Sequence, residues 1–166
     1  MNQLKLLLAL IVPACFLMNS CQPGPAATQE AAMNMDSVKA KIVAMENAYA
    51  VGSNTKNVDG VAAYYAADAQ SMANDEPTRV GMDAIKAGIK KEMADDTTGG
   101  TISFVTTGVW AAGNYATETG TSEVKSKDGK VVNTGKYITL FEMRDGKYIA
   151  IRDMWNRDAP KAAKPQ

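Results

Sequence analysis

Apolar residues recur at helical spacing in the first part of the domain and alternate with polar residues along its second part. One apolar stripe, at steps of four, three, four and three, comprises Val38, Ile42, Met45, Tyr49 and Gly52. Such spacing predicts an amphipathic helix, which Asp36 or Ser37 can cap. A short second helix is expected to open at Asn57 and to run through Tyr65, and a third from about residue 83 to 94.

The remaining apolar segments are short, and turn residues separate them. Gly-Asn or Asp-Gly dipeptides begin at positions 113, 128 and 145, where they favour tight hairpin turns. The predicted strands are residues 69–73, 101–111, 115–125, 134–143 and 147–156. Helices followed by an antiparallel meander, in the order α-α-β-α-β-β-β-β, predict an α+β fold with the helices packed on one face of a bent sheet.

The last predicted strand carries an acidic residue in apolar company. Because side chains alternate along a strand, one face is expected to present Ile149, Ile151, Asp153 and Trp155. The other face then presents Tyr148, Ala150, Arg152 and Met154. A carboxylate that shares a face with two isoleucines and a tryptophan either lines a pocket or acts as a buried structural acceptor.

The N-terminus is typical of a targeting segment. Residues 6–17 form an apolar run that is too short for a stable transmembrane anchor. A small residue, Ser20, stands directly before Cys21, and this pattern resembles the lipobox of bacterial lipoproteins, in which the cysteine carries the lipid. An ordinary secretory signal with a chance cysteine, or an uncleaved anchor, are the alternatives.

The lipoprotein interpretation divides the chain and predicts its location. Residues 1–20 are the expected signal peptide, 21–34 a flexible Pro- and Gln-containing tether, 35–158 the domain and 159–166 a disordered tail. Gln22 stands where an acidic residue would favour the inner membrane, so we expect the protein in the bacterial cell envelope, facing the periplasm and anchored to the outer membrane.

Composition excludes several classes of partner. Acidic and basic residues balance at 18 each, and removing Lys5 with the signal peptide leaves 17 basic residues. Since no basic block is present, nucleic acid is not an expected partner. The chain has no histidine, and Cys21 is assigned to the lipid, so we expect neither a metal site nor a cofactor.

Three segments together resemble a known fold family. They are residues 57–69 (NVDGVAAYYAADA), 79–85 (RVGMDAI) and 145–156 (DGKYIAIRDMWN). They resemble the nuclear transport factor two-like superfamily, in its SnoaL-like and ketosteroid-isomerase-like branch. The resemblance implies a cone-shaped barrel in which three N-terminal helices pack inside a strongly bent, mostly antiparallel sheet and leave a deep pocket.

The resemblance also assigns roles to individual residues. Tyr49 matches the tyrosine that donates an oxyanion-hole hydrogen bond in the isomerases, Tyr65 a supporting aromatic position, and Trp155 a large aromatic of the pocket wall. The family's general-base position is Ala73 here, and Asn74 follows it. Because neither side chain can accept a proton at neutral pH, the match argues against steroid isomerisation.

Three functions remain open from the sequence. The first is binding of a small, largely apolar molecule in the cone pocket, with Trp155, Tyr65 and Ile151 against the ligand. The second is a proton-transfer isomerase, dehydratase or cyclase, in which Asp153 moves the proton and Tyr49 polarises a carbonyl. The third is a non-catalytic, dimeric interaction module.

Several other residues receive simpler assignments. Asp153 could instead pair with Arg79, and Tyr64 is expected in outer packing. Glu118 and Glu142 are expected to be solvated strand positions. The threonine ladder at positions 117, 119 and 121 is typical of a sheet face, and relatives dimerise through the open sheet face, so a homodimer is expected.

Overall fold

The computed structural model describes residues 33–159, which form three helices and one six-stranded sheet. The helices are Met35–Asn54 (α1), Val58–Ala62 (α2) and Gly81–Asp95 (α3). The strands are Tyr65–Met72 (β1), Arg79–Val80 (β2), Thr101–Ala112 (β3), Tyr115–Lys125 (β4), Val131–Arg144 (β5) and Lys147–Arg157 (β6). The predicted α+β class is confirmed.

The N-terminal predictions fall on a part of the chain that the structure does not describe. The predicted signal peptide, the lipidated Cys21 and most of the tether lie outside residues 33–159, as does the tail beyond residue 159. Within the described range, no helix has both the length and the hydropathy needed to cross a membrane.

The sheet is a bent, mostly antiparallel layer with the strand order β2-β1-β6-β5-β4-β3. Only β1 and β6 run parallel to each other. Strand β2 was not predicted, because a two-residue strand is too short to show an alternating pattern. The observed order is therefore α-α-β-β-α-β-β-β-β.

Two predicted helix boundaries were wrong. The side chain of Asn34, not of Asp36 or Ser37, caps α1 by accepting a hydrogen bond from the Ser37 amide at 3.0 Å. Asn57 caps α2 as predicted, but that helix ends at Ala62. Tyr65 instead begins β1, because its backbone pairs with β6 and this tertiary pairing overrides the helix-favouring alanines nearby.

The core lies between the helices and the inner face of the sheet. Helix α1 packs against α2 and β3, while α3 packs against α2 and β1. The largest fully buried apolar side chains are Phe141, Ile42, Ile85 and Val61. The first half of α1 packs in the core through Val38 and Ile42, whereas its second half, from Glu46 to Asn54, lines a cavity.

A bulge in β6 breaks the predicted alternation of that strand. Arg152 pairs with Leu140, but the next pair along β5 joins Phe141 to Ala150, which leaves Ile151 as an extra residue. The bulge allows Ala150 and Ile151, neighbours in sequence, to be buried together.

Because of the bulge, the faces predicted for the first half of this strand are wrong. Tyr148 and Ala150, assigned to the face opposite Asp153, are buried in the core, whereas Ile149 is only half-buried. Beyond the bulge, Asp153 is buried and Trp155 is half-buried, and both line the cavity inside the cone, as the alternation predicted. Because of the inserted residue, Tyr148 and Ala150 before the bulge face the same side of the sheet as Asp153 and Trp155 after it.

Candidate functional site

A cavity of about 430 Å³ occupies the open end of the cone, between α1, α3 and the inner faces of β3 to β6. Its aromatic lining consists of Tyr49, Tyr64, Tyr65, Phe104, Tyr137 and Trp155. Several of these rings meet edge to face; Tyr49, for example, lies with its centroid 5.5 Å from that of Phe104. We call the buried lining residues the floor. We call the charged lining residues at the cavity entrance the mouth: Lys56, Asp75, Glu76, Lys91, Asp95 and Asp96.

One row of side chains crosses the inner face of the sheet beneath the cavity. In the strand register, Glu118 on β4 is opposite Thr139 on β5, Thr139 is opposite Asp153 on β6, and Asp153 is opposite Ser71 on β1. Residues opposite one another in a sheet project to the same face. The register therefore brings two carboxyl groups to the inner face with Thr139 between them.

Asp153 is buried and is held by three hydroxyl donors. Tyr65 donates to Oδ2 at 2.8 Å, Ser71 donates to Oδ2 at 3.3 Å, and Thr139 donates to Oδ1 at 3.3 Å. Burial raises the pKa of Asp153 to about 6, while these three hydrogen bonds act in the opposite direction. Asp153 is therefore mostly ionised at pH 7 and can accept a proton near neutral pH.

Tyr49 packs on Tyr65, the residue that donates to this carboxylate. The ring centroids of Tyr49 and Tyr65 are 6.3 Å apart, and the two rings meet edge to face. Burial, reinforced by the charge of Asp153, raises the pKa of Tyr49 above its ordinary value. Its hydroxyl is therefore a neutral donor that lines the cavity.

A second carboxyl pair, Glu46 and Glu118, lies at the other side of the cavity, where Glu46 is part of the floor and Glu118 lies behind the lining. Both residues are buried, Glu118 completely. Glu118 Oε1 accepts hydrogen bonds from Thr106 at 2.6 Å and from Tyr137 at 3.1 Å, and Glu46 accepts one from Tyr64. Glu118 Oε2 is buried without a hydrogen-bond partner of the ordinary kind.

The two glutamates influence one another directly. Burial, followed by the charge of Glu118, raises the pKa of Glu46 to about 8. Burial also raises the pKa of Glu118, although hydrogen bonds from Thr106, Tyr137 and Glu46 oppose that shift. Two carboxyl groups in contact cannot both ionise cheaply, so the pair holds one proton at neutral pH, mainly on Glu46.

Gly120 creates the space that this arrangement requires. A Cβ atom at Gly120 would lie 2.3 Å from the Tyr137 ring and hydroxyl. Because glycine has no side chain, the ring of Tyr137 crosses β4 at this position and its hydroxyl reaches Glu118. Phe104 packs on the same ring at a centroid distance of 5.7 Å.

Tyr64 and Thr139 connect the two carboxyl sites. The Tyr64 hydroxyl, which donates to Glu46, lies 3.4 Å from Thr139 Oγ1, and Thr139 in turn donates to Asp153. A chain of hydroxyl groups thus runs from the Glu46–Glu118 pair to Asp153 along the floor. Within the described residues, no group of three or more acidic, cysteine or histidine side chains is arranged to hold a metal ion.

The structure brings most of the predicted site residues together. Tyr49, Tyr65, Asp153 and Trp155 all line the cavity, whereas Ile151 packs in the core and is not part of the lining. The alternative pairing of Asp153 with Arg79 is wrong. Arg79 instead pairs with Glu76 at 2.6 Å and Glu92 at 2.7 Å, and ties the loop before α3 to that helix.

Two residues that were predicted to lie at the surface, Tyr64 and Glu118, are buried. Tyr64 was expected in outer packing, but it is buried on the floor. Glu118 was expected to be solvated, but the register turns it inward because Thr117 and Thr119 take the outer face. Glu142 is partly exposed and contacts Tyr115 and Arg144, as expected of a surface position.

Glu46 was not predicted as a site residue. It lies four residues after Ile42 and three before Tyr49, so it shares the apolar stripe of α1. A charged residue within such a stripe is the signal that could have identified it.

Comparisons with known proteins agree with this architecture. The family model described as "SnoaL-like domain" matches residues 45–151. A ketosteroid isomerase-like protein from Erwinia carotovora atroseptica has 20% identity and a TM-score of 0.61, over 73% of this chain and 96% of that one. An NTF2-like protein of unknown function from Pseudomonas putida has 17% identity and a TM-score of 0.64, over 78% and 98%.

A protein of unknown function with a cystatin-like fold from Nostoc punctiforme has 13% identity and a TM-score of 0.68, over 76% of this chain and 93% of that one. At these identities the three structures establish the fold alone. A comparison with curated protein sequences gives no significant match.

The protonated glutamate predicts an unusual pH dependence of stability. The unfolded chain loses the Glu46 proton near pH 4.5 and the folded chain near pH 8, so stability falls as the pH rises between these values. We expect the free energy of unfolding to drop on the order of 3 kcal/mol between pH 5 and pH 8. Urea unfolding at each pH measures this difference.

The variant Glu46→Gln keeps the hydrogen-bonding shape but cannot ionise, so it should lose the greater part of this slope. Glu123→Gln, on the outer face of β4, is the matched control and should keep it. A wild-type stability that rises from pH 5 to pH 8 would contradict the assignment.

Proposed function

This chain belongs to the SnoaL-like domain family, and from that premise we propose that its cone cavity binds a small molecule whose apolar body lies against the aromatic lining. The observation that carries the proposal is a cavity of about 430 Å³ that combines six aromatic side chains with hydrogen-bonding groups on its floor. Ligand pockets are typically of this size and are mostly apolar with a few placed polar groups.

The floor defines how such a ligand is oriented. Tyr49 offers a neutral hydroxyl, and Asp153 offers a carboxylate whose other hydrogen bonds are already made. A ligand with one polar end directed to the floor and a ring system against Phe104 and Trp155 fits these groups. We further propose that the domain faces the periplasm, held to the outer membrane by a lipid on Cys21, which rests on the sequence pattern.

A second candidate function is proton transfer. Asp153, mostly ionised at neutral pH, would act as general base, and the neutral Tyr49 hydroxyl would stabilise the enolate that forms on a bound carbonyl compound. The specific observation in its favour is that Tyr49 and Asp153 both line the cavity and that Tyr65 contacts both, since it donates to Asp153 at 2.8 Å and packs edge to face on Tyr49. Steroid isomerisation is not part of this proposal, because Ala73 occupies the family's base position.

We also propose that the protein forms a homodimer through the outer face of the sheet. Four large apolar side chains are exposed there, at 46–62% of their surface: Val105, Trp110, Ile138 and Met154. The register places them on β3, β5 and β6 beside the threonines of β4. A contiguous apolar surface of this kind favours association with another protein surface.

Binding can be located with the two tryptophans. Trp155 lines the cavity, whereas Trp110 is 60% exposed on the outer face. We expect neutral ring compounds (tetralol, a naphthoquinone and a steroid) to include at least one that quenches tryptophan fluorescence. The quenching should persist in Trp110→Phe and disappear in Trp155→Phe. If no compound quenches Trp155, or quenching follows Trp110, the cavity is not the binding site.

Proton abstraction can be measured without knowing the natural substrate. We expect the protein to catalyse deuterium uptake at the carbon next to the carbonyl of tetralone in heavy water, followed by NMR. Asp153→Asn should slow this exchange by about 10²- to 10⁴-fold, and Tyr49→Phe should also slow it. The wild-type rate should rise with pH through a value near 6, the pKa of Asp153. An unchanged rate in Asp153→Asn would eliminate this candidate.

Dimer formation is tested by sedimentation. The wild-type domain should sediment as a dimer, and Ile138→Lys should shift it to a monomer, because a buried charge on the outer face is costly. Val80→Lys, at an exposed position on β2, is the control and should remain dimeric. A wild-type monomer at high protein concentration would refute the dimer.

A further inference from the structure

Three polar side chains line the cavity beyond Trp155, away from the floor, on three neighbouring strands. They are Ser122 on β4, Asn133 on β5 and Arg157 on β6, and all three are half-buried. Among the side-chain hydrogen bonds and ion pairs found within residues 33–159, none involves the Ser122 hydroxyl, the Asn133 amide or the Arg157 guanidinium. We call these three residues the polar cluster. Its hydrogen-bond donors are available to a ligand.

The strand register explains why these side chains share one wall of the cavity. Ser122 is opposite Gly135 on β5, and Gly135 is opposite Arg157 on β6, so this row projects to the inner face. A Cβ atom at Gly135 would lie 2.9 Å from Ser122 Oγ, which means that the hydroxyl lies over the glycine. Asn133 is two residues from Gly135 and therefore projects to the same face. The row thus carries a hydroxyl and a guanidinium with no side chain between them.

The lysines that line the cavity already have acidic partners. Lys56 pairs with Asp96, and Lys91 pairs with Asp95 at 3.0 Å and with Glu76 at 3.3 Å. These pairs offset much of the negative charge of the mouth, and they leave neither lysine free to bind a further anion.

Arg157 contacts an aromatic ring and has no carboxylate partner among the ion pairs of the described chain. Its guanidinium carbon lies 5.9 Å from the centroid of the Trp155 ring, within the range of a cation–π contact. This contact occupies no hydrogen-bond acceptor, so the five N–H donors of the guanidinium remain available. Trp155 and Arg157 both line the cavity, so an anion bound by Arg157 would lie at the edge of the aromatic wall.

Opposite charges stand at the two ends of the cavity along one strand. Beyond the bulge, Asp153, Trp155 and Arg157 all line the cavity from β6. Asp153 and Arg157 are four residues apart, which corresponds to roughly 13 Å along a strand. The floor, which also includes Glu46, repels an anionic group, whereas Arg157 attracts one. An elongated ligand with one anionic end therefore has a single favourable orientation.

We propose that the cavity binds a fused-ring carboxylic acid, whose carboxylate lies in the polar cluster against Arg157 while its ring system packs on Trp155 and its other end reaches the floor. This inference rests on the proposed ligand-binding function and names the chemical class of the ligand. The planar guanidinium matches the two oxygens of a carboxylate, and Ser122 and Asn133 can each donate one further hydrogen bond. A carboxylate carries one negative charge, so the acidic mouth repels it less than a doubly charged phosphate.

Three naphthalene ligands test the proposal: 6-hydroxy-2-naphthoate, its methyl ester and 2-naphthol. The first two share one body and one hydroxyl group, and they differ in a negative charge. Calorimetry at pH 7 and low salt measures the affinity of the full-length protein for each. We expect the naphthoate to bind at least about tenfold more tightly than its ester, because a hydrogen bond to a charged group is worth more than one to a neutral group. The difference should shrink as salt is added, and 2-naphthol should bind about as well as the ester.

Substitutions on β6 identify the residue responsible. Arg157→Gln should lower the affinity for the naphthoate to that for the ester and leave ester binding unchanged, which shows that the cavity is intact. Arg152→Gln removes the same charge from an exposed position on the outer face of the same strand, so it should keep the wild-type preference. If Arg157→Gln does not fold, Arg157→Lys serves in its place. Lysine keeps the charge without the planar fork, so the preference for the naphthoate should fall only in part.

The outcomes separate this inference from the function on which it rests. Equal affinity for the naphthoate and its ester, or a preference that persists in Arg157→Gln, overturns the carboxylate site and leaves the cavity as a general ligand site. The same holds if the naphthoate does not bind while a neutral ring compound quenches Trp155. No binding of any of the three ligands, together with no quenching of Trp155, overturns both.

Discussion

The burial of three carboxyl groups inside one aromatic cone is the constraint on which this structure depends. Glu46, Glu118 and Asp153 are each less than a tenth exposed, and no ion pair within the described part of the chain reaches them. Burying charge without compensation is expensive. The fold meets this cost with hydroxyl donors for Asp153 and with a shared proton for the glutamate pair.

Strand register and a few local irregularities make that solution possible. The row Glu118, Thr139, Asp153 and Ser71 depends on the pairing of four strands, and the bulge at Ile151 lets the core and the cavity use the same strand. On β4, a glycine lets one tyrosine ring reach across to Glu118. The chemistry of the floor is thus a consequence of sheet geometry, and no single sequence motif encodes it.

Much of the fold and part of the site could be predicted from the sequence. Asp153 and Trp155 were identified because period-two alternation put them on one face, and Tyr49 because the helical stripe and the family resemblance coincided. Glu118 was misassigned because its neighbours on the inner face, Ala116 and Gly120, are small. Small residues at alternate positions are typical of an exposed strand face. Here they are small because rings from β5 fill the space beside β4. Such cross-strand packing is invisible in one strand's sequence.

The central claim is that the buried pair of Glu46 and Glu118, beside the cavity, holds one proton at neutral pH. The most direct measurement is an NMR titration of the glutamate side-chain carboxyl carbons in the wild-type protein and in Glu46→Gln. The account predicts one glutamate that titrates near pH 8 and is missing from the variant. If every glutamate titrates near its ordinary value of about 4.3, the pair holds no shared proton, and this account of the floor is wrong.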